Sequence, residues 1–102
     1  MTPDDLLDTL AADLPDATAG AMFGKRALKA NGKAFACLKG DDLAFRLGAG
    51  TPDHGAALDL PGARLFDPSG GGRPFKDWVA VPVAQSAEWP RLARIALAQV
   101  RA

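Results

Sequence analysis

Asn31-Gly32 constrains this chain more than any other pair of residues. It stands between Lys25–Ala30 and Lys33–Leu38. Asn-Gly between two short segments of this kind is the strongest local hairpin signal, because a type I′ turn needs positive φ at both central positions. The wider stretch Ala21–Leu47 then reads as three short strands joined by tight turns and led into by Met22-Phe23-Gly24. A two-residue turn sets Leu28 opposite Phe35 and Arg26 opposite Cys37. On the third strand, Leu43–Leu47, the residues Leu43, Phe45 and Leu47 share one face. For them to join Leu28, Phe35 and Cys37 in one core, the connection around Gly40-Asp41-Asp42 must hold an odd number of residues. An even number turns the whole set over. The odd loop is the expectation.

Helices flank this unit. Thr2-Pro3-Asp4-Asp5 is a helix start, with a capping hydroxyl, a proline suited to the first turn and acids that complement the dipole. Leu6, Leu7, Leu10, Ala11 and Leu14 follow at helical spacing, Pro15 ends the run, and Asp16–Gly20 reads as loop. Thr51-Pro52-Asp53 opens a second, short helix that runs to Leu58. Ala63–Asp67 reads as a fourth strand and Arg73–Val81 as a fifth, separated by the flexible Pro68-Ser69-Gly70-Gly71-Gly72. Ser86 is placed to cap a terminal helix whose Trp89, Leu92, Ala93, Ala96, Leu97 and Val100 form a full apolar stripe. The order α-β-β-β-α-β-β-α predicts an α+β, two-layer sandwich, with a five-stranded antiparallel sheet and its helices on one face.

The 102 residues suffice for one domain with its own core. Twelve Lys/Arg balance twelve Asp/Glu, so no general attraction to nucleic acid or anionic membrane is expected. The charges are uneven along the chain, however. Residues 1–20 hold five Asp and no base, whereas residues 21–48 hold six Lys/Arg against two Asp. A single cysteine excludes an intrachain disulfide. No apolar run approaches the roughly 18 residues of a membrane span, and a cytoplasmic address is the expectation.

Met22-Phe23-Gly24, then Asn31-Gly32-Lys33-Ala34-Phe35-Ala36, then Asp41-Asp42-Leu43-Ala44-Phe45 resembles the N-terminal domain of the TfoX/Sxy family. Gly72-Arg73-Pro74-Phe75-Lys76-Asp77-Trp78-Val79-Ala80-Val81-Pro82 and the Ala/Arg-rich terminal helix are similar as well. The resemblance covers roughly residues 18–102. It implies a small α+β domain shared with YjbR/MmcQ-like proteins and, more distantly, with secretion chaperones. The family is named for regulators of competence gene expression that carry a second, helical C-terminal domain. Residues 1–102 are expected to form a single domain without that addition. The resemblance offers no catalytic residue, cofactor or metal ligand to carry over.

Residue chemistry points the same way. Cys37 falls mid-strand on the expected core face, as a small buried hydrophobe rather than an activated nucleophile. His54, the lone histidine, reads as a solvated residue in the first turn of its helix, and one His with one Cys is a poor zinc site. Asp41-Asp42 is turn chemistry. Gly70-Gly71-Gly72 leads into a strand rather than a helix, so it serves flexibility rather than a phosphate cradle. No catalytic, cofactor-binding or metal-binding residue is assigned.

Two surfaces remain. Lys25, Arg26, Lys29, Lys33, Lys39 and Arg46 form a basic band. Lys25, Arg26, Lys29 and Lys33, with Arg73 and Lys76 beside the glycines, are the candidate weak anion or nucleic-acid contacts. The stacking aromatics that single strands require are missing from that face on this reading. The other surface is the sheet face turned away from Leu28, Phe35 and Phe45. It is expected to show Ala34, Ala36, Leu38, Ala44 and Trp78, where polar residues would be usual. Either the glycine-rich loop folds over it and the alanines reflect composition, or it is a protein-contact surface. The functional expectation is a non-enzymatic interaction or regulatory module acting through protein contact, most economically with a second copy in a symmetric homodimer and otherwise with a different protein. A weak nucleic-acid-binding domain is the alternative.

Overall fold

The computed structural model describes residues 1–101. In chain order the elements are α1 (Pro3–Asp13), β1 (Thr18–Met22), β2 (Lys25–Ala30), β3 (Lys33–Lys39), β4 (Asp42–Arg46), α2 (Pro52–Leu58), β5 (Arg64–Phe66), β6 (Phe75–Pro82), a 3₁₀ turn (Val83–Glu88) and α3 (Trp89–Arg101). The strands form one antiparallel sheet in the order β1-β2-β3-β4-β6-β5. All three α-helices pack on one of its faces. The fold is α+β, as expected, but the sheet has six strands rather than five.

The additional strand is β1, most of which the sequence reads as loop. It shows no apolar alternation, because as an edge strand it pairs only with β2 and stays exposed along nearly its whole length. Phe23-Gly24 is the two-residue turn joining β1 to β2, with φ of 54° and 72°. This matches Asn31-Gly32, at 53° and 76°. Asparagine tolerates that left-handed backbone, whereas for phenylalanine it costs about 1–2 kcal/mol.

The register departs from the expected one at a single residue. Ala30 pairs with Lys33 and Lys29 with Ala34, but Leu28 pairs with Ala36 and Ala27 with Cys37. Phe35 is therefore the extra residue of a β-bulge. The β3–β4 connection is the even, two-residue Gly40-Asp41, with Lys39 opposite Asp42. Parity did demand one odd residue between Leu28 and Leu43, and the chain places it inside β3 instead of in the loop. As a result Phe35 and Ala36 both join the helix-side core, Leu38 follows them opposite Leu43, and Cys37 turns to the other face.

The main core lies between the helices and the sheet. Leu28, Phe35, Leu43, Phe45, Leu47, Val79 and Val81 meet Leu7 and Leu10 of α1, Ala57 of α2 and the whole expected stripe of α3. Each fully buried large side chain contributes roughly 1.5–3 kcal/mol. Trp89 is buried, and its Nε1 donates to the Val81 carbonyl at 3.2 Å. At α1, Thr2 and Asp5 form a reciprocal capping box, each side chain accepting from the other's backbone N–H at 3.1 Å. The Thr2 N–H, and after it the Thr2 hydroxyl, hold the Asp5 carboxyl below its ordinary range. Ser86 does not cap α3 with its hydroxyl. It lies within the 3₁₀ turn and offers its backbone carbonyl to the Trp89 N–H.

The helix-free face as candidate interaction site

Along each strand the residues alternate away from the main core and compose a second, smaller one. Cys37, Ala44 and Ala80 form its floor, with Trp78 and Phe66 above them and Met22, Ala34 and Phe75 at its margin. Strand pairing sets Ala44 beside both Cys37 and Ala80, and Trp78 beside Arg46. Small side chains at the centre let the aromatic rings lie low over the sheet. Phe66 stands 5.7 Å from Trp78 and 6.2 Å, edge-on, from Phe75, and Phe75 stands 5.6 Å from Phe23. These separations suit tilted and T-shaped aromatic pairs. Phe66 and Trp78 are buried and Phe75 is half-buried, whereas Phe23 is 61% exposed.

The expected outward apolar patch is thus corrected in two ways. Ala36 and Leu38 face the helices, because the bulge at Phe35 shifts them there. Ala44 and Trp78 do lie on the helix-free side, but they are buried in a cluster with Phe66 and Phe75, leaving only Ala34 half-open. The glycine-rich segment is also more ordered than a flexible linker. The Asp67 carboxylate accepts from the N–H groups of Gly70 and Gly72 and from the Ser69 hydroxyl, and the Asp67 carbonyl accepts from Lys39 Nζ at 2.7 Å. Those backbone donors, Gly72 first, hold the Asp67 carboxyl below its usual range. A carboxylate of the chain itself occupies the donors that a phosphate would need.

Charge is segregated between the two layers. The helix-free face and its rim hold eight of the twelve Lys/Arg, namely Lys25, Lys29, Lys33, Lys39, Arg46, Arg64, Arg73 and Lys76, against Asp42, Asp67 and Asp77. The helices and their flanks hold eight of the twelve acids. Arg26 is the one candidate anion contact that leaves the basic face. It turns to α1 and pairs with Asp4 at 2.9 Å and with Asp8, and both acids keep its guanidinium firmly protonated. Lys25, Lys29, Lys33, Arg46, Arg73 and Lys76 make no ion pair among the described residues. Gly20 helps seat one of them, since a Cβ there would stand 3.1 Å from Lys29 Cδ.

Two open grooves flank Phe75. One, of about 480 Å³, is lined by Met22, Lys33, Ala34, Arg46, Lys76, Asp77 and Trp78. The other, of about 460 Å³, lies between Phe23, Lys25, Pro68, Ser69 and Arg73. Phe75 walls both. Aromatic rings therefore do stand among the cations, contrary to the sequence reading. Met22-Phe23-Gly24 carried the missed signal, as a two-residue turn whose first position has an atypical occupant.

The two side chains with latent reactivity are committed elsewhere. Cys37 is fully buried, and burial pushes its thiol pKa up, away from the reactive thiolate. His54 is buried rather than solvated, and its Nε2 donates to the Lys76 carbonyl at 2.7 Å. Among the described residues, no three His, Cys, Asp or Glu side chains are grouped to hold a metal ion. No described helix is long and apolar enough to cross a membrane. Neither a family model, nor a curated protein, nor a solved structure matches the chain.

Proposed function

We propose that this chain is a non-enzymatic interaction module of the cytoplasm, regulatory in character like the TfoX N-terminal domain it resembles, and that it works by protein contact through the helix-free face. Phe23 carries this reading. A large aromatic ring is held mostly exposed at a hairpin tip, in a backbone conformation that asparagine or glycine adopts at lower cost. Stability gains little from such a residue, and aromatic side chains are enriched at protein interfaces. The contact surface is thereby moved from the alanines in the middle of the sheet to the Phe23–Phe75 rim, with Ala34 alone retained from the expected set.

A photoreactive phenylalanine analogue in place of Phe23 tests the proposal, with the same group in place of Arg94 on α3 as the control. Discrete protein adducts from position 23 and none from position 94 are expected. Absence of adducts at 23, or equal adducts at both positions, would remove the interaction reading.

A second reading, weak nucleic-acid binding, gains support from the six unpaired cations beside exposed aromatic surface. Fluorescence anisotropy at physiological salt is expected to show nothing tighter than roughly 10⁻⁶ M, the range of non-specific binding. Sub-micromolar, sequence-dependent affinity would reverse the order of the two readings.

A further inference from the structure

The Phe23–Phe75 pair stands between two separate cationic grooves, one holding Lys33, Arg46 and Lys76 and the other Lys25 and Arg73. We infer that the partner at this rim is an acidic segment of another protein carrying one large apolar side chain, which rests on the ring pair while carboxylates on either side enter the two grooves. This rests on the interaction reading and supplies its chemistry. The surface pattern is cation, aromatic, cation, so its complement is acid, apolar, acid.

Three features favour this occupant. None of the five cations makes an ion pair with a described residue, and Asp77, the acid that lines the first groove, accepts at Oδ1 from the Ala49 N–H, so the cations are open to an incoming carboxylate. Lys33, Arg46 and Lys76 line one groove and Lys25 and Arg73 the other, so each groove offers more than one cation to a carboxylate that enters it. The Phe75 wall also divides the basic surface into two patches rather than one continuous track. A polynucleotide needs the track, and its length would carry it past this face towards the layer that holds most of the acids. A short acidic segment ends where the basic face ends, and its apolar residue gives the exposed Phe23 ring a partner that a phosphodiester chain supplies only through its bases.

The probe is a short synthetic peptide with glutamates on both sides of one tryptophan, titrated into the isotope-labelled full chain at physiological ionic strength and followed by amide chemical shifts. Shifts are expected around Phe23, Lys25, Lys33, Arg46, Phe75 and Lys76, with none on α3. Glutamines in place of the glutamates are expected to weaken binding at least about tenfold, as is Lys33→Glu with Lys76→Glu, whereas Arg94→Glu leaves affinity unchanged. The amide spectrum of each variant reports its folding. No binding by the acidic peptide, equal binding by the glutamine peptide, or tighter binding of a charge-matched oligothymidine would each overturn the inference. So would the same amides shifting with protein concentration alone, which would make a second copy the occupant. Failure of the peptide with residue-23 adducts intact would leave the interaction reading standing and remove only its acidic partner.

Discussion

On the helix side of the sheet, Phe35, Phe45 and Leu47 are sealed beneath α1 and α3, and the core is closed on every side. On the other side the aromatic row runs from buried Trp78 and Phe66 through half-buried Phe75 to exposed Phe23, and cations surround its open end. One sheet thus carries a layer that serves folding and a layer that only partly does. A zero net charge conceals this difference, because the acids concentrate with the first layer and the bases with the second. Overall charge says little about a molecule whose two faces differ in sign.

The largest effect separates two alanines that are neighbours but for the bulge. Ala36→Glu places a carboxylate in the main core and is expected to cost about 3–5 kcal/mol or more, a large part of a typical domain's 5–15 kcal/mol. Ala34→Glu, at the margin of the open groove beside Lys33, is expected to cost roughly 0.5 kcal/mol or less. Equilibrium denaturation of both variants reads the contrast directly. Equal losses would mean that Phe35 is not the bulged residue.

Next in size is the difference between the two cores themselves. Phe45→Ala is expected to lose about 3–5 kcal/mol, because the surrounding helices cannot collapse into the space. Phe66→Ala is expected to lose less, about 2–3 kcal/mol, since Phe66 belongs to a smaller cluster that borders an open cavity rather than one enclosed by helices. A greater loss at Phe66 would make the helix-free layer the principal core and contradict the division drawn here.

A smaller effect distinguishes an ordered segment from a slack one. The backbone donors of Gly72 and Gly70 hold the folded-state pKa of Asp67 low, so its ionisation stabilises the fold above its unfolded value near about 3.9, and that contribution is lost as pH falls through the folded pKa. Asp67→Asn is expected to be less stable than wild type at neutral pH, with the two converging in acid. A difference that persists unchanged at low pH would show that charge at Asp67 has no part in holding the segment.

Much of the helix-side layer was legible in the sequence, because periodicity reports burial. The α3 stripe, the α1 leucines and the Asn31-Gly32 turn all emerge from spacing and φ requirements. Parity even demanded an odd residue between β2 and β4, but a bulge at Phe35 needs no glycine or other marker residue, so nothing in the sequence located it. The helix-free layer was harder to read for the same physical reason. β1 buries nothing large, His54 is held by the Lys76 carbonyl rather than placed by an apolar pattern, and the rings that pack with Ala44 come from β5 and β6, some twenty residues or more further along the chain.

The smallest stability effect belongs to Phe23. At Phe23, relief of about 1–2 kcal/mol of backbone strain opposes loss of an aromatic pair worth about 0.5–1.5 kcal/mol. Phe23→Asn should therefore stay within about 1 kcal/mol of wild type in denaturation while losing at least about tenfold in affinity for the acidic tryptophan peptide. Both quantities can be measured on the same sample. A folded variant with near-wild-type stability and impaired binding is the expected result. A loss of several kcal/mol with peptide binding intact would instead make Phe23 a structural residue, and the helix-free face would lose its anchor.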